Sequence, residues 1–262
     1  MRWPRGHPLP QVSALACLAG LVVTGVVALL VPTAVRGDTS ALGGFVALDR
    51  SSGALTVRIT ELANPAPYAL WGALLVGVAL VRRRRALAAA IPVVLIGSEL
   101  MTQALKQLLA QPRGADSFSR LEIAAASWPS GHATAAMAVA LCAIAVAPAQ
   151  ARSAVALAGA TYALAVGYAL VAIASHFPSD VVGGYFVAGL WTSLALVAVR
   201  VEPEARAQRL GALALCGVAA VAAAVVVAAT DHLAFALMAL AIAGLALALV
   251  ATVSSVAAPP DR

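Results

Sequence analysis

Charge is scarce in this chain: only 11% of its 262 residues are Asp, Glu, Lys or Arg. A soluble domain carries roughly a quarter, so a water-facing surface cannot be built and a pair of soluble domains is excluded. Lysine is scarcer still, with Lys106 its sole example. Three cysteines (Cys17, Cys142 and Cys216) lie far apart within apolar stretches, which leaves no disulfide frame and no metal-type spacing. Internal repeats, heptads and low-complexity linkers are also absent. What remains is 62% hydrophobic, in runs on the order of 20 residues that suit a bilayer.

These runs predict an all-α integral membrane protein with about eight transmembrane helices, near Val12–Val31, Ala66–Val81, Ala86–Leu109, Gly131–Val146, Ala154–Ala174, Val181–Val199, Leu210–Ala229 and Leu233–Val250. The first run is too long for a cleaved leader and lacks a small-residue cleavage site, so a retained helix is expected. Residues 1–200 are read as a six-helix core, and residues 201–262 as an appended hairpin with a frayed tail. Arg2, Arg5, Arg82 to Arg85, Arg152, Arg200, Arg206, Arg209 and Arg262 all fall on one side. Arginine-rich loops stay cytoplasmic, so both termini are expected inside. The same bias accounts for the net charge of +6 without a nucleic-acid partner.

Three polar segments fall on the other side. Thr33–Pro65 contains alternating Leu55, Val57 and Ile59, which suggests a short strand or an interface-lying segment. The second is the loop Gln111–Ser130, and the third is the turn Ser175–Asp180.

The last two are each rich in residue types that bind phosphate. Glu99, Gln103 and Lys106 follow at spacings of four and three and so share a helix face. An ionisable residue in a span normally faces the bundle interior, although a snorkelling lysine or a pair with Glu99 reads equally well. Arg113 and Arg120 follow in the loop. In Trp128-Pro129-Ser130-Gly131-His132, proline is favoured as the opening residue of a helix. The Ser130, Gly131 and His132 amides are then expected to point outward at an anion. In Ser175-His176-Phe177-Pro178-Ser179-Asp180, proline ends one helix and Ser179 is expected to cap the next. Asp180 is placed to accept from one ring nitrogen of His176 and leave the other nucleophilic. Taken singly, the second motif also reads as a capped helix with an interfacial tryptophan, and the third as a structural cap.

Together, Lys-x6-Arg, Pro-Ser-Gly-His and His-x3-Asp resemble the type-2 phosphatidic acid phosphatase family, within the acid phosphatase and vanadium haloperoxidase superfamily. The motifs cover roughly the third to sixth helices. The resemblance implies a six-helix core with its active site at the outer face of the plasma membrane. Lys106 and Arg113 would bind phosphate oxygens, and Ser130 with the Gly131 amide would hold another. His132 would act as general acid, His176 as the nucleophile forming a phosphohistidine, and Asp180 would orient it. No metal or cofactor is implied. The substrate would be a lipid phosphate or pyrophosphate, such as a polyprenyl pyrophosphate, phosphatidic acid or phosphatidylglycerol phosphate.

The chain departs from the family in its third motif. Six residues before the nucleophilic histidine the family has Ser-Arg; here the pair is Ala169-Leu170. Arg120 is the nearby cation that could substitute. The same departure supports an alternative, a non-catalytic member that binds a lipid head group or membrane partner. Weaker alternatives are a serine hydrolase using Ser130, a metal site of His132, His176 and Asp180, and a transporter. Oligomeric state is not legible.

Overall fold

The computed structural model describes residues 8–48, 53–112, 123–203 and 233–257. Nine α-helices lie among them: α1 (Leu9–Leu30), α2 (Pro32–Leu48), α3 (Gly53–Glu61), α4 (Pro65–Val81), α5 (Arg85–Leu108), α6 (Gly131–Val146), α7 (Ala149–Ala172), α8 (Pro178–Val199) and α9 (Leu233–Ser254). Five of these, α1, α5, α7, α8 and α9, are each long and apolar enough to cross a membrane. The pair α3–α4, bent by 48°, passes the same test as one unit, and α6 is apolar but shorter. The expected helix at Leu210–Ala229 lies outside the described residues, as do Arg2, Arg5, Arg206, Arg209 and Arg262. Leu15, Val22, Val23, Leu70 and Ile96 are more than half exposed on helix faces. Such faces suit lipid, because a helix satisfies its own backbone and leaves only side chains to match the solvent.

The centre of the bundle is α6. It is buried all round, and only Gly131, His132 and Ala143 retain appreciable exposure. Its neighbours α4, α5, α7, α8 and α9 surround it, and small residues set the approach. A Cβ on Gly159 of α7 would lie 3.1 Å from the Ala140 Cβ. One on Gly184 of α8 would lie 2.7 Å from the Ser130 carbonyl oxygen. Helix α9 shares this core through Phe235, Ile242, Ala246 and Val250. Residues Glu202–Pro203 pair antiparallel with Val256–Ala257, which joins the C-terminal ends of α8 and α9.

Helix ends alternate. At one end lie the N-termini of α4, α6 and α8 with the C-termini of α5 and α7. At the other, Arg82 donates to the Val146 carbonyl and Arg152 to the Ala147 carbonyl at 3.3 Å. Both arginines thus cap the C-terminus of α6, where exposed carbonyls and the helix dipole favour a cation.

The described residues of the segment Thr33–Pro65 are mostly helical, in α2 and α3, and form no strand. Asp38, Ala41, Leu42 and Phe45 are buried along one face of α2, against α7 and α9. On α3, Leu55 and Val57 are exposed whereas Thr56 and Thr60 are buried. That inverts the inside-out assignment a water-facing strand would have.

Candidate active site

The site grows from the mouth of α6. Ser130 is the N-cap, with extended backbone, and its hydroxyl oxygen accepts from the Ala133 N–H at 3.4 Å. Its own N–H is not free, as expected from sequence, but donates to the Asp180 carbonyl at 2.9 Å. Ser130 is fully buried, which also removes it as an exposed nucleophile. Pro129 precedes the cap and so does not open the helix. The two partly exposed residues of the first turn are Gly131 and His132. Their amides, like those at any helix start, have no acceptor within the helix and favour an anion. Trp128 is not interfacial: it is 3% exposed, wedged between Gly25 of α1 and Gly183 of α8.

The turn between α7 and α8 supplies the second histidine. Helix α7 closes through Ala174, whose φ of 55° reverses the chain. The Ser175 and His176 amides both return to the Leu170 carbonyl, at 3.0 and 3.3 Å. Pro178 then starts α8, and the cap is made by Asp180, not Ser179. The Asp180 Oδ2 accepts from the Phe177 N–H at 3.1 Å and from His176 Nδ1 at 3.2 Å. One carboxylate oxygen therefore ends the turn and orients the imidazole. Asp180 is fully buried and His176 nearly so. With Nδ1–H held, the Nε2 lone pair is the nitrogen available for attack.

Helix α5 contributes the polar face read from its spacing. Gln103 Nε2 donates to Glu99 Oε1 at 2.5 Å, and a Cβ on Gly131 would meet both side chains at 3.7 to 3.9 Å. Lys106 is half-buried and lies in the electrostatic field of Asp180 and Glu99. His132 feels His176, Lys106 and Glu99. Lys106, Gly131, His132, His176 and Asp180 thus gather at one end of the bundle. Arg113 and Arg120 lie outside the described residues. Leu170 is 2% exposed in the apolar core. Among the described residues no group of three His, Cys, Asp or Glu is placed to hold a metal ion.

Two polar contacts were not anticipated from sequence. Asp38 of α2 accepts from the Ser179 N–H at 3.1 Å and the Ser179 hydroxyl at 2.5 Å. Asn64, the N-cap of α4, meets His132 Nε2 through its Oδ1 at 2.9 Å. A signal for the second was present, since Asn64 is the only asparagine in the chain, as Lys106 is the only lysine.

Residues 87–204 match the sequence model of the PAP2 superfamily. No curated protein and no solved structure matches the chain. The matched segment contains the polar face of α5, the mouth of α6 and the His176–Asp180 turn, and PAP2 proteins are generally phosphatases acting on phosphate esters, which supports a phosphoester hydrolase. Across residues 87–204, this multi-pass membrane chain is similar to the PAP2 superfamily.

Proposed function

We propose that the chain hydrolyses a lipid phosphate or pyrophosphate at the outer face of a plasma membrane, through a phosphohistidine on His176. The observation that carries this reading is the His176 Nδ1–Asp180 Oδ2 pair beside the accessible first turn of α6. Nitrogen Nε2 of His176 attacks phosphorus as the P–O bond to the lipid breaks, and His132 protonates the departing oxygen. Water then attacks phosphorus, passes a proton to His132, and the P–N bond breaks to release phosphate. Lys106 and the Gly131 and His132 amides carry the negative charge of the reacting phosphoryl group, with Arg113 and Arg120 as further cations. Phosphoryl transfer depends chiefly on such positioning and charge. A polyprenyl pyrophosphate, phosphatidic acid or phosphatidylglycerol phosphate would each fit.

A second reading, a non-catalytic member that binds a lipid head group, rests on Leu170, buried where the family carries an arginine. Purified protein assayed on these three lipids in EDTA separates the two. Phosphate release abolished by His176→Ala supports hydrolysis. A folded protein inert on every lipid supports the second reading.

A further inference from the structure

Asn64 occupies a position where asparagine normally serves the backbone. An N-cap Asn side chain accepts from the amides of the first helical turn, yet here it makes no capping hydrogen bond. The sequence explains why. Asn64 is followed by Pro65-Ala66-Pro67, so of the second and third helical amides that a cap side chain uses, only that of Ala66 remains. The prolines hold the helix start by their fixed φ, and the asparagine side chain is released for another use. It reaches His132, 68 residues away in sequence.

We propose that Asn64 is a positioning residue for His132, fixing its Nε2–H tautomer and leaving Nδ1 as the nitrogen that exchanges a proton with the departing oxygen. An amide Oδ1 carries no proton, so the hydrogen in this contact belongs to the imidazole. The inference rests on the hydrolytic reading above and adds the side of the ring that does the work. In the first step imidazolium His132 gives its Nδ1 proton to the lipid oxygen and becomes the neutral Nε2–H form. In the second, Nδ1 takes a proton from the attacking water and the imidazolium is restored. Nε2–H stays on Asn64 throughout.

The two histidines are thereby differentiated by their partners. His176 is oriented by a carboxylate, which stabilises the positive ring of a phosphohistidine. His132 is oriented by a neutral amide, which holds the ring without binding its proton too firmly to release. The charged and titratable groups facing His132 among the described residues are Glu99 and Lys106 of α5 and His176 of the α7–α8 turn. Asn64 lies outside residues 87–204, so the family match does not include it.

The test uses the full chain in detergent with Asn64→Ala and Asn64→Asp. In Asn64→Ala, kcat should fall about ten- to a hundredfold, part of the roughly 10²- to 10⁴-fold that general-acid catalysis supplies, with KM nearly unchanged. The alkaline limb of the kcat–pH profile should move down, because the cation loses an acceptor. In Asn64→Asp the limb should move up, because a carboxylate favours the charged ring, and turnover should exceed that of Asn64→Ala. Melting temperatures should stay close to the parent's, since no cap is lost. Equal losses in both variants with unmoved limbs would overturn the proposal. Nitrogen-15 shifts of the His132 ring provide a readout that needs no turnover. The parent should show the neutral Nε2–H tautomer and Asn64→Ala a mixture; an Nδ1–H parent overturns the inference even if the enzyme is active. If the parent is inert, the hydrolytic reading fails, while the ring shifts still decide the pairing.

Discussion

Asp38 and Ser179 are joined twice, by the Ser179 N–H at 3.1 Å and its hydroxyl at 2.5 Å, across 141 residues of sequence. The contact ties α2 to the first turn of α8, one residue from Asp180. Hydrogen bonds to a buried charge contribute about 1.5–3 kcal/mol. Asp38→Ala is therefore expected to lower the melting temperature measurably and to reduce phosphate release by loosening the turn that carries His176. Asp38→Asn, which keeps an acceptor for the amide, should retain more of both.

Asp180 serves two partners with one oxygen, and substitutions can separate them. Asp180→Asn leaves a side-chain acceptor for the Phe177 N–H but removes the charge that orients His176. Turnover should fall by roughly 10² to 10⁴ with little change in melting. Asp180→Ala should lose as much activity and additionally about 1 kcal/mol of stability from the missing cap, read by denaturation.

Gly184 is a site of close backbone approach. A methyl there would sit 2.7 Å from the Ser130 carbonyl oxygen and 3.0 Å from the Thr134 N. Neither is the flexible end of a side chain, so α6 and α8 must separate. Gly184→Ala should cost about 1–3 kcal/mol and reduce turnover although it touches no reacting group. Gly37, with nothing near its would-be Cβ, provides the control.

Sidedness is testable by labelling. Ala124 and Gln150 are exposed at opposite ends of α6, and Cys17 and Cys142 are buried. With intact cells, an impermeant maleimide should modify Ala124→Cys above the parent background but spare Gln150→Cys until the membrane is opened. The reverse result would turn the site toward the cytoplasm.

Legibility varied along the chain for physical reasons. The bounds of α6 could be read to the residue, because Pro129-Ser130-Gly131 and Ala147-Pro148 punctuate both ends of an unbroken apolar run. The gathering of Lys106, His132 and His176 followed from motif order and helix alternation. Helix α2 was harder. Asp38, Ala41, Leu42 and Phe45 do repeat with a helical period, but the first reads as a surface carboxylate until Ser179 is seen beside it. Helix α3 misled through its alternating Leu55, Val57 and Ile59, because outward apolar groups are unremarkable in lipid. Asn64 could not be paired with His132 from spacing at all, since a contact across 68 residues depends on tertiary structure.

The length of α6 sets a depth. Its 16 residues, at about 1.5 Å each, cover about 24 Å, against roughly 30 Å of hydrocarbon. The arginine-capped end belongs at one polar boundary, so the His132 end stops some 6 Å below the other, and any tilt increases the shortfall. Because longer helices enclose α6, a lipid phosphate hydrolysed as proposed would have to sink beneath the plane of neighbouring head groups to reach this mouth. A phosphate on a long hydrocarbon chain can be lowered while the chain remains in apolar surroundings. A small water-soluble ester has no such anchor, so the depth of the α6 mouth would act as a filter on what reaches the histidines.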